Sequence, residues 1–258
     1  MKLNSILLVI GLFIAPVVAT ITDDLGQLES DLLSLSGRLQ PASTAPTITQ
    51  EKDKTHYNFG NYTLSVVKGD ITKEKVDVIV NAANPQLHAG GGVCGAIFAA
   101  ANDPGLQQAC NKFGGCATGQ ACPTESFGLE KLGIEYIIHA VGPDCEKTSA
   151  GGPMFEGEKV SLTDAYFNSL KVANTLKHRP IKGRKKTPAG NVASIAFPFI
   201  SSNIYKCDIH DAATAPFVAI KKFFAENPTT ALKQVELVAF SSADFKLFND
   251  TIKTLYGL

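Results

Sequence analysis

The sequence predicts an α/β layered fold with a largely parallel central sheet. Short runs rich in β-branched residues alternate with helical stretches of 10 to 20 residues, the pattern of strands joined by crossover helices. One unit, VVKGDITKEKVDVIVNAANPQLHAGGGVCGAIFAAA at residues 66–101, reads strand, glycine-rich loop, helix, which is how a chain builds a seat for phosphate. No period of 20 to 50 residues repeats, which disfavours a solenoid.

Residues 1–19 read as a signal peptide. Lys2 supplies a positive start, residues 6–18 an apolar stretch, and Val17, Val18 and Ala19 the small residues a signal peptidase accepts. The apolar stretch is shorter than the roughly 20 residues that span a bilayer. Removal is expected, giving an exported protein, periplasmic or secreted, with no membrane contact after cleavage. Residues 20–39 then place leucines at 25, 28, 32, 33, 35 and 39, near helical spacing, with Thr22, Asp23 and Asp24 as capping residues. PASTAP at 41–46 reads as a linker, so 20–50 is a lead-in and 51–258 the globular domain.

Within that domain, strands are expected at 63–68, 76–80, 136–141, 194–197 and 235–239, and helices at 95–101, 104–113, 162–178, 208–227 and 244–254. With 45% hydrophobic residues in 258, the chain can bury one good core plus an appendage. Residues 144–158 and 177–191 read as surface excursions. The second is basic, with Lys177, Arg179, Lys182, Arg184, Lys185 and Lys186 following Lys171, and such a run is a solvated loop. The formal net charge is zero, so bulk electrostatics do not favour nucleic acid, and RNA binding through this loop would show itself as steep salt dependence.

Six cysteines stand at 94, 110, 116, 122, 145 and 207. An even count in an exported chain suggests disulfides, and Cys110, Cys116 and Cys122 are close enough in sequence for one pair among them; buried free thiols are the alternative. There is no C-x-x-C, and His139 and His210 fall at no ligand spacing, so no metal is expected. No cofactor is implied.

The glycine loop works through its backbone. Gly90, Gly91 and Gly92 let successive N–H groups face one concavity, and the helix beyond aims its positive dipole end there. Gly90, Gly92 and Gly95 satisfy G-x-G-x-x-G, but nine residues separate Val80 from Gly90 and no Asp or Glu lies between Asp103 and Glu125, which argues against a dinucleotide fingerprint. No Gly-Lys-Ser/Thr follows, which excludes a P-loop.

GDIT at 69–72, VDVIVNAAN at 76–84, GGGVCGAI at 90–97, GGCATGQA at 114–121, IIHAVGP at 137–143 and FPFISSNIY at 197–205 together resemble the macrodomain family, in the family's order. The likeness, to the MacroD-like and viral-like mono-ADP-ribosyl hydrolase branch, covers about residues 57–258. It implies a three-layer α/β/α macrodomain fold with a mixed, largely parallel sheet, and a protein that binds ADP-ribose or ADP-ribosylated protein and hydrolyses mono-ADP-ribosyl linkages on proteins or small acyl esters. The oligomeric state is left open.

The resemblance also implies roles. Asp70, beside Ile71, would take the adenine amino group; a helix or turn cap is its structural alternative. Phe240 would stack on the adenine face. Asn84 would hold the distal ribose, with amide donor and acceptor matched to vicinal hydroxyls. Ala82, Gly90, Gly91, Gly92 and Val93 would supply contacts to the distal ribose and phosphates, and Ser201, Ser202, Asn203, Ile204 and Tyr205 would close over the diphosphate. Asn84, Gly92 and Cys94 would stand at the reacting centre.

Two departures bear on activity. Cys94 stands where strongly active hydrolases of the family carry Asp, and Phe98 where such enzymes often carry His. Some viral macrodomains with the same Gly-Val-Cys run are similar here and hydrolyse nonetheless, with a water held against the ligand's own phosphate. The alternative is a non-catalytic ADP-ribose reader. As a nucleophile Cys94 has the helix N-terminus but no identifiable base. Asn203 and Lys206 replace usual glycines; Asn203 suits a left-handed backbone, and Lys206 would loosen the loop or add a cation near phosphate. Cleavage of poly-ADP-ribose needs paired glutamates, and no Glu-Glu occurs.

Overall fold

The computed structural model describes residues 45–181 and 187–258. The expected leader, the 20–39 helix, most of the 41–46 linker and the basic positions Lys182, Arg184, Lys185 and Lys186 lie outside the described residues. Eight strands form one mixed sheet: β1 (Thr47–Gln50), β2 (Lys54–Asn58), β3 (Thr63–Lys68), β4 (Val78–Ala82), β5 (Ala121–Glu125), β6 (Tyr136–Ala140), β7 (Ser194–Pro198) and β8 (Gln234–Ala239). Their order is β1-β2-β3-β8-β7-β4-β6-β5. The central strands β3, β8, β7, β4 and β6 run parallel, and the outer pairings β1 with β2, β2 with β3 and β5 with β6 are antiparallel.

The helices are α1 (Gly92–Ala101), α2 (Pro104–Asn111), α3 (Glu156–Thr175), α4 (Ile209–Glu226) and α5 (Ser242–Tyr256), with 3-10 turns at Ile71–Lys73 and Phe127–Leu132. Strand side chains alternate between two cores. Val66, Val80, Ile138 and Leu237 join Tyr166, Phe223 and Phe248 from α3, α4 and α5. Val67, Ile79, Ile137 and Val238 join Ile97 and Leu106 from α1 and α2. This is the three-layer α/β/α arrangement, and because helices cover both faces, the central strands read as nearly unbroken apolar runs.

The sheet is wider than expected by β1, β2 and β5. The four residues of β1 are all exposed, so its sequence carries no apolar alternation. β5 contains Pro123, which is tolerated because the strand lies at the sheet's edge, where a missing N–H need not break a ladder. The first residues of β1 also stand next to the stretch read as linker.

α3 starts six residues earlier than expected. Glu158 Oε2 accepts from the backbone N–H of Phe155 at 2.6 Å, a capping contact that carries the helix back to Glu156. The stretch from 144 is correspondingly no free excursion, since Cys145 is buried and bonded to Cys207. That disulfide corrects the pairing expected among Cys110, Cys116 and Cys122, which are free thiols, as is Cys94. Sequence proximity misled because the pair that forms is brought together by two strand exits 62 residues apart. In the basic stretch, Arg179 is folded onto the domain, donating to Glu130 and Glu125 at 2.5 Å each. No helix among the described residues is long and apolar enough to cross a membrane.

Candidate functional site

In a parallel sheet, loops leaving the carboxyl ends of neighbouring strands converge, and ligand crevices form there. Here the exits of β3, β8, β7, β4 and β6 surround a groove of about 770 Å³. Its walls contain Asp70, Ile71, Ala82, Asn84, Gly90, Gly91, Gly92, Val93, Cys94, Ser201, Ser202, Asn203, Ile204, Tyr205 and Phe240, so the structure brings every site residue expected from sequence to one place.

The glycine loop and the β7 loop approach closely across it. Ile204 Cδ1 stands 3.4 Å from where a Cβ on Gly91 would be, and Gly92 adopts φ +60°, a conformation glycine takes without strain. α1 begins at Gly92, so its first N–H groups, which have no partners inside the helix, face the groove.

Asn84 is held before any ligand arrives. Its Nδ2 donates to His88 O at 2.7 Å and its Oδ1 accepts from His88 N at 3.1 Å, closing the turn that leads to the glycines. Each of its polar atoms keeps spare capacity, one N–H and one lone pair, for a sugar hydroxyl.

Cys94 is 5% exposed, with Sγ 3.5 Å from Asn81 Nδ2 and 3.8 Å from His88 O. Asn81 also meets His139 Nδ1 at 3.0 Å, and His139 Nε2 lies 3.1 Å from Thr124 Oγ1. Burial pushes His139 down to about 4, so the ring is neutral at pH 7. Neutral imidazole has one acceptor, met by the Asn81 amide, and one donor, directed at Thr124. Asparagine cannot pass a proton onward, so this buried chain supports the floor of the groove and gives Cys94 no general base. Phe98 packs into the core with its ring 6.2 Å from His139 and stays out of the groove.

At the other end, Asp70 caps the 3-10 turn Ile71–Lys73, accepting from Thr72 N at 3.0 Å and Thr72 Oγ1 at 2.7 Å. Partial burial alone would raise its pKa; the Thr72 hydrogen bonds and Lys73 outweigh that and lower it. The capping alternative is therefore realised, and the second carboxylate oxygen still faces Lys73 at 3.2 Å. Phe240 is 87% exposed and lines this end of the groove. The groove's lining carboxylates, Asp70 and Asp244, both belong to this end.

The β7 loop differs from expectation in its backbone. Ser201 (φ +63°) and Lys206 (φ +47°), and not Asn203, take the left-handed conformation. Lys206 Nζ donates to Glu146 Oε1 at 2.6 Å, which engages the cation away from the groove.

Residues 80–215 match the family described as Macro domain. The chain belongs to the macrodomain family. A macro domain-containing protein of Listeria monocytogenes is 37% identical over 195 residues, 74% of this chain and 97% of its own. ADP-ribose glycohydrolase MACROD2 of Xenopus laevis is 34% identical over 193 residues, 75% of this macrodomain chain but 40% of that longer protein. The solved Oceanobacillus iheyensis macrodomain with ADP is 33% identical, with a TM-score of 0.65, over 81% of this chain and 99% of that one.

Several residues of this macrodomain's site were not singled out from sequence. Gly142 lines the groove because a Cβ there would stand 2.2 Å from Ser201 Oγ, and the glycine in IIHAVGP was the available signal. Ser241 and Asp244 line the Phe240 end from the start of α5, where Ser241 caps the helix. Asn81 and His139 are buried, and only their contacts reveal a shared role. Asp77, Glu135 and His178 form the one described set whose ligand atoms all lie within 4.8 Å of one another. They sit at the opposite end of the sheet, where Asp77 Oδ2 accepts from Ala193 N and Ser194 N, and His178 Nδ1 lies 2.8 Å from Glu135 Oε1.

Proposed function

We propose that this macrodomain binds ADP-ribose in the groove and hydrolyses mono-ADP-ribosyl linkages to proteins or small acids. One observation carries the reading: the glycine loop and the β7 loop approach closely at Ile204 over a groove that has Asn84 at one end and an exposed aromatic plane, Phe240, at the other. In this pose the adenine lies on Phe240 beside Asp70, the diphosphate receives N–H groups from the α1 start and the β7 loop, and Asn84 meets the distal ribose. The ADP held by the Oceanobacillus relative and the name of MACROD2 support the same ligand class.

No lining carboxylate stands near Asn84, so the attacking water is held against the ligand's own phosphate and not activated by a side-chain base. That same observation favours a second reading, a reader that binds without turnover. Titration calorimetry with ADP-ribose, ATP and NAD tests the ligand, and single-turnover release from mono-ADP-ribosylated protein tests the reaction. Tight binding without release leaves the reader; no preference for ADP-ribose over ATP and NAD removes both readings.

The chain is further proposed to be exported. The 1–19 leader motivates this, and a Cys145–Cys207 disulfide suits an oxidising compartment. Finding the full chain retained in the cytosol of its producing cell, with residues 1–19 intact, would sink the idea.

A further inference from the structure

Two features of the β7 loop call for an external restraint. Ser201 and Lys206 both adopt positive φ without being glycine, a conformation that the Cβ of an L-residue disfavours. Yet this loop must hold its N–H groups in one pose to meet a diphosphate. The restraint comes from the segment that leaves β6. Ser201 rests on Gly142, its Oγ 2.2 Å from where a Cβ there would stand. Cys207 N donates to Ser201 O at 3.0 Å, which closes the loop on itself. Cys207 is then bonded to Cys145, three positions beyond Gly142, with Cα atoms 4.9 Å apart. Gly142, Ser201, Cys207 and Cys145 thus form a closed circuit of two hydrogen-bonded or packed contacts and one covalent bond.

Two further ties run in parallel. Glu146 N donates to Tyr205 O at 3.0 Å, and Lys206 Nζ donates to Glu146 Oε1 at 2.6 Å. Both cystine residues are buried, at 0% and 3% exposure, so the covalent tie is inside the wall of the groove.

We propose that Cys145 and Cys207 are positioning residues for the diphosphate: their disulfide holds the 201–205 wall in its ligand-ready pose. The proposal rests on the ADP-ribose reading of the groove. A bond that only stabilised the fold would act on every ligand alike, whereas this clasp acts on the wall that a diphosphate touches and leaves the adenine end, formed by the β3 and β8 exits, as it was.

The test uses the full chain and a Cys145→Ala/Cys207→Ala variant, with Cys145→Ser/Cys207→Ser as a second pair should the first fold poorly. Calorimetry measures ADP-ribose and adenosine, which lacks the diphosphate. Each left-handed residue is worth about tenfold, so relaxing both should lower ADP-ribose affinity by up to about a hundredfold, with adenosine affinity unchanged. Equal weakening of both ligands, or of neither, overturns the proposal. Amide exchange without ligand gives an independent reading: acceleration confined to 201–207 supports the clasp, and unchanged or chain-wide acceleration overturns it. If the parent does not bind ADP-ribose, the proposed function fails, and the exchange measurement still decides whether the disulfide holds this wall.

Discussion

Ile204 Cδ1 lies 3.5 Å from the point a Cβ on Gly92 would occupy, so the two loops that frame the groove are separated there by about the width of one methyl group. The groove is therefore narrow at this point.

Gly92→Val should fill that gap. The new side chain meets Ile204, and a β-branched residue is forced into φ +60°. ADP-ribose affinity should fall at least about tenfold, a change of roughly 1.4 kcal/mol, with the far-ultraviolet dichroism of the parent retained. Calorimetry on the purified variant checks this; parental affinity would show that the gap has no part in binding.

Phe240→Ala should separate binding from stability. At 87% exposure the ring contributes little to the core, so the melting temperature should stay near the parent's. Base stacking on an aromatic plane is worth about 1–3 kcal/mol by alanine substitution, so ADP-ribose affinity should drop by about fivefold to 150-fold. A lowered melting temperature with intact affinity would place the ring in a structural role instead.

Cys94→Ser tests the thiol as a nucleophile. The Sγ is buried and flanked by the Asn81 amide and His88 carbonyl, with no base, so single-turnover release should remain within about threefold of the parent, well short of the loss expected on removing a nucleophile. A collapse in release, or a covalent adduct by mass spectrometry, would reverse that assignment. Cys94→Asp is the complement: a large gain from a silent parent would favour the reader.

Two groups give opposing pH dependences. His139, at about 4 when folded against 6.5 in an unfolded chain, stays neutral in the fold while the unfolded state takes up a proton. Its contribution, roughly 3 kcal/mol at full extent, is lost as pH falls from 6.5 through 4. Glu74 is raised to about 7 by burial and by the neighbouring Glu236, so its folded form keeps a proton that the unfolded chain releases above 4.5. Stability from Glu74 is lost as pH rises from 4.5 through 7. Across pH 4.5 to 6.5 the two slopes oppose, and Glu74→Gln should lose stability on acidification more steeply than the parent, as read by urea unfolding. Identical slopes would refute the pairing.

Much of this site was legible because its chemistry is carried by backbone and by short motifs. A strand followed by Asn84 and three glycines states where N–H groups will gather, and the fold rule for parallel sheets states that the β4, β7 and β3 exits meet. What was not legible depended on partners distant in the chain. β5 hid behind Pro123, since only its place at the edge makes that residue acceptable. The Cys145–Cys207 bond was invisible because proximity in space is set by the β6 and β7 exits, while Cys110, Cys116 and Cys122 are near only along the sequence. Lys206 read as loosening the loop or adding a cation near phosphate, and its ion pair with Glu146, 60 positions away, was not visible in the sequence.

Asn84 reaches the groove with its rotamer already chosen, because the same amide that would greet a sugar also latches the backbone of His88. Little freedom is left to freeze when a ligand docks, which favours tight recognition of one sugar shape over accommodation of several. It also means that position 84 cannot drift in evolution by exchanging one contact for another: a replacement must rebuild the turn and the recognition together, or lose both.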